Sequence, residues 1–322
     1  TGAESALVVG SREAALSVAL SALSDKTSNV VMARSHFVEL ATGQRVADLV
    51  RGLTGLTPFE IGSVNRTTAD DYLQPLRSKE VQANVILTVD SSGYRKGAET
   101  DVVPVAELAA AVDKSHLEIS PKIVHFMTAA SLRELHPGGN RIDLPSIGDC
   151  LKNKVDVVVS GGELVLGGRD IGIICGRKSA IEKIAASTRF EAVRIDRLTL
   201  AALEATLSIM LDGGRAMLEV PVLQMVTTSI DNLRSRGQRL MPRIHEAECI
   251  AEANLVEVDV PIGEKLFAAI TLPGIAIAVR PVESLTVEAL HALLLKASPS
   301  ILSTIDGEGR LLMNLRSVLP RQ

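Results

Sequence analysis

The stretch 155–175, VDVVVSGGELVLGGRDIGIIC, decides the fold class of this chain of 322 residues. Its first apolar run, Val155 to Val159, predicts a buried β-strand, and Ile171 to Cys175 predicts a second one. Four glycines lie between the two runs, at positions 161, 162, 167 and 168. Glycine tolerates positive φ and lets the backbone approach a ligand closely. In an α/β chain, a glycine-rich loop at a strand end therefore predicts a ligand site.

Strand and helix patterns alternate on the amino-terminal side of this stretch. Predicted strands cover residues 30–33, 59–62, 84–89 and 123–126, and predicted helices cover 45–53, 69–76, 105–112 and 147–152. Short loops between such elements require right-handed crossovers and a mostly parallel sheet. We therefore predict a large α/β domain over residues 1–215, a connecting helix over 216–248 and a small α+β domain over 249–322.

Two helices are predicted near the junction of these domains. The segment 198–211, LTLAALEATLSIML, is apolar on most faces, which predicts deep burial. The helix predicted over 222–247 carries four arginines, at positions 234, 236, 239 and 243. They indicate a solvated face, or alternatively a surface for tRNA or another RNA. A net charge of −4 and the absence of Trp argue against a general nucleic-acid-binding surface.

Cysteine usage and hydropathy bear on the compartment. The three cysteines, Cys150, Cys175 and Cys249, are too widely spaced for a metal-ligand pattern or a disulfide framework, which favours inert thiols in a reducing environment. No apolar run is long enough for a membrane span, and no signal peptide is recognisable. We expect a cytoplasmic protein. The chain starts at Thr1 without an initiating Met, so a preceding segment is expected.

Two polar segments at predicted strand ends are candidate ligand sites. Gly10 breaks the first apolar segment, and Ser11 is a good N-cap for the helix that follows, with Glu13 in its first turn. Free amides at such a terminus can bind an anion, although an ordinary capped core helix has the same pattern. The strand 84–89 leads into Asp90, Ser91 and a loop ending at Arg95, which is either a ligand loop or a solvated one.

Several motifs resemble the bacterial selenocysteine synthases, the L-seryl-tRNA(Sec) selenium transferases. The phrase RIDRLTLAALEATL (194–207) is similar to that family's R-x-D-K-x-T-L-A-A-L-E-A-T-L. TGAESALVV, NRTTADDY (65–72), SSGYR (91–95), SGG…LGG…GII (160–174) and AIAVRP…LLMNLRSVLP resemble further family segments in the same order. The resemblance implies a type I fold dependent on pyridoxal phosphate (PLP), a dimer or larger homo-oligomer, and an additional N-terminal region that contacts tRNA.

The resemblance fails at the residues that hold the cofactor. The family's Schiff-base lysine lies in S-G-D-K-L-L-G-G, where this chain has one residue more and places Glu163 or Leu164 at the lysine position. Neither side chain can form an imine with PLP. The aspartate that pairs with the pyridine nitrogen corresponds to Phe126, which has no charge to offer. Lys152, Lys154 and Lys178 are expected outside the pocket.

Anion-binding positions are altered as well. The family's asparagine-rich phosphate turn corresponds to Gly10-Ser11-Arg12-Glu13, where Ser11 and Arg12 retain some affinity for an anion and Glu13 opposes it. The R-A-L-R motif for the selenium donor reads Glu191 to Arg194, so one arginine has become an acid. A family histidine has become Asp90. The expected ligand pocket consists of Arg66, Ser91, Arg95, Ser160 and Arg194.

We therefore predict a selenocysteine synthase-like protein that has lost PLP catalysis and acts by assembly or by binding a ligand, because a fold can persist without its chemistry. Its partner is predicted to be a second copy of itself or an active relative. The alternative is an active transferase or lyase of the same family with altered chemistry, for example with Glu163 as a base.

Overall fold

A computed structural model describes residues 1–25, 29–36, 43–90, 100–128, 131–132, 145–162, 167–262 and 270–319. The strands are β1 Ser5–Val9, β2 Asn29–Ala33, β3 Thr57–Ile61, β4 Arg66–Thr67, β5 Val85–Asp90, β6 Asp101–Val102, β7 Lys122–Met127, β8 Val157–Gly161, β9 Gly172–Gly176, β10 Ile250–Ile262, β11 Ile270–Pro281, β12 Thr304–Ile305 and β13 Leu311–Asn314. The helices are α1 Arg12–Leu23, α2 Val46–Thr54, α3 Ala69–Arg77, α4 Val105–Lys114, α5 Ile147–Lys152, α6 Lys178–Ala185, α7 Thr188–Val193, α8 Arg197–Leu211, α9 Gly213–Glu219, α10 Pro221–Thr227, α11 Ile230–His245 and α12 Val287–Lys296.

Contacts divide the described chain into two units, with the boundary after Gly213. The first unit contains a seven-stranded sheet in the order β1-β9-β8-β7-β5-β2-β3. Strand β9 pairs antiparallel with both of its neighbours, and the other pairs in the sheet are parallel. The prediction of an α/β fold with a mostly parallel sheet is confirmed. Strands β8 and β9 correspond to the two apolar runs of 155–175.

Both faces of this sheet are covered by helices, as expected for parallel strands. One face packs against α1, α2 and α6, with Leu16, Leu20 and Phe126 among its fully buried side chains. The other face packs against α3, α4 and α5, with Tyr72 and Leu108 at its centre. Because side chains alternate along a strand, neighbouring residues of β7 serve different faces. Phe126 faces α1, and His125 points the other way.

A glycine in β9 lets the start of α1 lie directly against the sheet. A Cβ at Gly172 would stand 2.1 Å from the carbonyl oxygen of Ser11 and 2.7 Å from the side chain of Ala15. Contacts this short do not occur between real atoms, so a larger residue would push the helix away. Gly172 therefore positions the amino terminus of α1.

The second unit is built on the four-stranded sheet β10-β11-β13-β12. Helices α11 and α12 contribute Leu233 and Leu290 to its core. The buried guanidinium of Arg316 donates to the carbonyls of Met225 at 2.7 Å, Thr228 at 2.9 Å and Pro273 at 3.1 Å. It thereby joins the end of α10 to β11. The hairpin predicted around 306–309 is confirmed by the antiparallel pair β12 and β13.

Two helix predictions were wrong. The segment 222–247 forms two helices, because the chain leaves the helical conformation at Thr228 and Ser229 starts α11 as its N-cap, accepting from the Asn232 amide at 3.3 Å. Helix α8 is not deeply buried: its buried residues are Thr199 and Leu203. An apolar surface on all sides predicts burial, but it does not say whether the covering surface belongs to the same chain. Among the described residues, no helix is long and apolar enough to cross a membrane.

Candidate functional site

The candidate site lies at the carboxyl edge of the large sheet, where the ends of β1, β5, β7 and β8 meet because these strands run parallel. Val9, Asp90, Met127 and Gly161 are the last residues of these strands. Glu163, Leu164, Ser91 and Arg95, which the sequence places at this edge, lie outside the described residues. The described part of the site therefore consists mainly of residues that directly follow β1 and β7.

The amino terminus of α1 is capped by its own chain. The Ser11 hydroxyl accepts a hydrogen bond from the Ala14 amide at 3.1 Å, and the Ser11 carbonyl accepts from the Ala15 amide at 3.0 Å. The Gly10 amide donates to the Val193 carbonyl at 3.1 Å. Ser11 thus acts as an ordinary N-cap. The amides of Gly10, Ala14 and Ala15, which could otherwise bind an anion, already have protein partners.

Arg12 crosses from α1 to the end of β7. Its Nη1 donates to the carbonyl oxygen of Thr128 at 2.9 Å, and its Nη2 lies 3.1 Å from Oε1 of Glu13. The guanidinium carbon is 5.8 Å from the centre of the Phe126 ring, within the range of a cation–π contact. The side chain of Arg12 is only 14% exposed, so these contacts hold it inside the site.

Phe126 is fully buried and belongs to the core beneath α1. Thr128, two residues further on, is buried as well, and its hydroxyl donates to the carbonyl of Asp90 at 2.8 Å. The ends of β5 and β7 are therefore tied together, and the space beside Phe126 holds a cation. The hydrogen bond from Arg12 to Thr128 could not be predicted from the sequence, because every residue has a backbone carbonyl.

Buried His125 lies on the opposite face of the sheet, and a second buried histidine, His36, lies beside β5. Nδ1 of His125 shares a hydrogen bond of 2.8 Å with the Thr88 hydroxyl, and Nδ1 of His36 accepts from the Val89 amide at 3.4 Å. Burial lowers the pKa of His125 to about 4, and burial together with the neighbouring His125 lowers the pKa of His36 to about 3. Both rings are therefore neutral at pH 7, and His125 is a hydrogen-bonded core residue.

The buried thiols on that face are poor nucleophiles. Sγ of Cys150 lies 4.0 Å from Sδ of Met127. Burial, with smaller contributions from Asp90 and Asp149, raises the pKa of Cys150 to about 12, and burial raises that of Cys175 to about 12. Thiols with such pKa values stay protonated at neutral pH. Among the described residues, no group of three or more His, Cys, Asp or Glu side chains could hold a metal ion.

The structure places the remaining pocket residues as follows. Arg194 forms an isolated bridge with Val9, and its guanidinium pairs with Glu191 at 3.1 Å. Arg66 on β4 is 70% exposed and lies 3.6 Å from Asp101. Ser160 is buried in β8, and its hydroxyl donates to the Gly161 carbonyl at 3.3 Å. Ser11, Arg12 and Arg194 thus gather around the end of β1, whereas Arg66 lies on the separate two-stranded pair β4-β6.

Three lysines near β8 and β9 lie at the edge of the sheet opposite to the candidate site. Lys152 and Lys154 precede β8, and Lys178 follows the antiparallel strand β9, so all three lie at the amino edge. Each pairs with an acid: Lys152 with Asp149, Lys154 with Asp113 and Lys178 with Glu182.

Comparisons with known proteins agree on one family. The family model of L-seryl-tRNA selenium transferase matches residues 1–319. The L-seryl-tRNA(Sec) selenium transferase of Geobacter sulfurreducens is 33% identical over 99% of this chain and 67% of its own length. That of Carboxydothermus hydrogenoformans is 30% identical over 100% of this chain and 66% of its own length. The chain thus spans about two thirds of the length of these relatives.

A solved structure supports the fold. The structure of D-glucosaminate-6-phosphate ammonia-lyase superimposes with a TM-score of 0.62 and covers 99% of this chain and 78% of its own. At 19% sequence identity, this similarity concerns the fold alone.

Proposed function

Because the chain belongs to the L-seryl-tRNA selenium transferase family, we propose that it keeps the fold of that family without its PLP chemistry, and that it acts by assembly or by binding a ligand. The matched length of the relatives covers both of the units described above. Membership in the family implies PLP as the cofactor.

The contact between Arg12 and Phe126 carries the proposal. PLP withdraws electrons effectively when a carboxylate keeps its pyridine nitrogen protonated. At the aligned position this chain has a fully buried phenyl ring, with a guanidinium 5.8 Å from its centre. A cation beside the pyridine nitrogen would lower the pKa of that nitrogen, the opposite of what the chemistry needs. The nearby carboxylate of Glu13 is already paired with Arg12.

The lysine position supports the same conclusion. Glu163 or Leu164 stands where an imine-forming amine is required, and neither can replace it. Lys152, Lys154 and Lys178 lie at the opposite edge of the sheet. The residues present therefore do not fit PLP held as a Schiff base, and we propose no catalytic step through it.

The charges at the end of β1 also disfavour an anionic co-substrate. Glu191 pairs with Arg194 at 3.1 Å and partly offsets the charge of that arginine. Glu13 adds a negative charge to the first turn of α1, where a phosphate group would otherwise find amides. We therefore do not expect a phosphate-like anion to be the ligand of the expected pocket, which consists of Arg66, Ser91, Arg95, Ser160 and Arg194.

Family membership itself favours the second candidate, an active transferase or lyase with altered site chemistry. In that case PLP would bind without an imine, or Glu163 would act as a base. The partner in either case is proposed to be a second copy or an active relative, with tRNA as a weaker candidate.

A PLP titration distinguishes the two candidates. The purified protein is mixed with PLP, its visible absorbance is recorded, and any imine is trapped with borohydride and mapped by mass spectrometry. We expect a colourless protein with no more trapping than free surface lysines produce. A yellow protein with one lysine trapped stoichiometrically would contradict the proposal.

Two lysine variants extend the test. Glu163→Lys and Leu164→Lys each restore an amine at one of the two aligned positions, while Phe126 and Glu191 stay unchanged. We expect neither variant to transfer selenium or sulfur to seryl-tRNA. Measurable transfer by either one would show that the lysine alone limits activity.

A further inference from the structure

One side of helix α11 carries arginines that have no acidic partner in the part of the chain that the structure describes. The structure separates the four arginines of this helix into two groups. Arg234 forms ion pairs with Asp231 and Glu257. Within the described residues, no ion pair is found for the other three, which are Arg236, Arg239 and Arg243.

These three arginines lie on the same side of α11 as Leu240. A helix turns by about 100° per residue, so positions 236, 239, 240 and 243 fall within an arc of about 100°. Arg234 falls about 160° away from Arg236, on the opposite side of the helix. Arg239 and Arg243 are exposed, and Leu240 is 41% exposed. We call the surface formed by Arg236, Arg239, Leu240 and Arg243 the arginine face.

The charges on the arginine face repel one another. Arg236 and Arg239 are three residues apart, a spacing that brings like charges together on a helix. Burial, and to a smaller extent the charge of Arg239, lowers the pKa of Arg236. Nη2 of Arg236 donates to the carbonyl of Val318 at 2.6 Å, which holds the half-buried guanidinium in place. An anionic partner would therefore relieve a repulsion that the described chain leaves uncompensated.

The exposed leucine indicates which kind of anion fits this face. Leu240 follows Arg236 by four residues and precedes Arg243 by three, so it lies among the cations. A phosphate backbone has no apolar group to cover a leucine, and nucleic-acid bases stack on aromatic side chains. Helix α11 contains no Phe, Tyr or Trp. A polypeptide with carboxylates around an apolar side chain complements both parts of the face.

We propose that the arginine face docks an acidic helical segment of a partner protein, with carboxylates facing its three arginines and an apolar side chain covering Leu240. A helix presents acids at intervals of three and four residues, which match the intervals between Arg236, Arg239 and Arg243. Docking at α11 does not depend on whether PLP binds, so it goes beyond the proposed function.

Fluorescence anisotropy with a labelled peptide tests this docking. The probe is a capped helical peptide of about 18 residues with three Glu at intervals of three and four, one Leu between them, and Ala and Gln elsewhere. Two control peptides replace either the three Glu by Gln or the Leu by Ser. We expect saturable binding of the probe and at least about tenfold weaker binding of the Gln peptide. Raising NaCl from about 0.05 to about 0.3 M should weaken binding of the probe further.

Variants of the protein test whether the probe binds at the arginine face. Arg239→Glu and Arg243→Glu should each weaken binding of the probe about tenfold, because an attraction becomes a repulsion. Arg234→Glu makes the same charge change on the opposite side of α11 and is the matched control; binding should stay within about twofold. Leu240→Ser should weaken binding of the probe but not of the Ser peptide, because both changes remove the same contact. Far-UV circular dichroism of every variant establishes that loss of binding is not loss of folding.

Several results would overturn the proposal. These are no saturable binding of the probe, equal binding of the Gln peptide, or an equal effect of Arg234→Glu and Arg239→Glu. A single-stranded RNA of about 18 nucleotides is titrated in parallel. If the RNA bound more tightly than the probe and Leu240→Ser had no effect, the face would be assigned to nucleic acid instead. The PLP titration separates this docking from the proposed function, because a yellow protein that binds the probe would contradict only the loss of PLP chemistry.

Discussion

The two buried histidines should make the protein lose stability as the pH falls from 7 to 5. His36 and His125 are almost entirely buried, with pKa values lowered from 6.5 to about 3 and about 4. In the unfolded chain both rings take up a proton near pH 6.5. Below that pH the unfolded state binds more protons than the folded state, so acid favours unfolding. The stability is fully present above pH 6.5 and is lost progressively towards the two folded-state values.

The size of the effect follows from the difference in proton binding. At pH 5 an unfolded histidine with a pKa of 6.5 is stabilised by about 2 kcal/mol relative to its neutral form. Both folded rings remain neutral at that pH, so the two together should lower the free energy of unfolding by about 4 kcal/mol between pH 7 and 5. Most carboxylates stay ionised in this window and contribute little to the change.

Urea unfolding followed by far-UV circular dichroism at pH 7, 6 and 5 provides the assay. The variants His36→Asn and His125→Asn remove one titration each, and the asparagine oxygen can take the hydrogen bond that Nδ1 makes now. Each variant should lose about 2 kcal/mol less than the unmodified protein between pH 7 and 5. His245→Asn, on the exposed end of α11, is the control and should change nothing. Identical pH dependence in His125→Asn and the unmodified protein would refute the reasoning.

Three further substitutions test the packing. Arg316→Met should lower the free energy of unfolding by about 3 kcal/mol or more, because buried carbonyls at the end of α10 and in β11 lose their donor. Urea unfolding measures the change, and a loss below about 1 kcal/mol would count against the prediction. Gly172→Ala should cost about 2 kcal/mol by forcing the first turn of α1 away from β9; thermal unfolding checks it, and an unchanged midpoint would contradict it. Gly52→Ala, in open space on α2, should instead stabilise by about 0.5 to 1 kcal/mol in the same scan; destabilisation would be the contrary result.

Local patterns predicted the large sheet well. The apolar runs around residues 30, 86, 124 and 158 became buried strands, because a strand covered on both faces needs little more than a short β-branched run. The helix breaks were harder to predict from the sequence. The end of α10 at Thr227 depends on Ser229 as an N-cap, a signal that a continuous apolar pattern conceals.

The candidate site was predictable only in its residue types. Phe126, Glu163 or Leu164, and Glu191 differ from the family residues in sequence alone, and that comparison raises the question of lost chemistry. The position of Arg12 over Phe126 and its bond to Thr128 were not predictable, because they join segments more than a hundred residues apart. The neutral state of His36 was not predictable either, because it depends on burial beside β5 and His125.

The amino-acid sequence by itself determined the family and the alternation of strands and helices in the large sheet domain, since these depend on residue identity and local periodicity. Only the tertiary structure decided what occupies the space beside Phe126 and which apolar helix remains uncovered. Burial and charge pairing are properties of surfaces brought together by folding. For this reason α8, which is apolar on most faces, is predicted from the sequence as a core helix but is largely exposed in the fold.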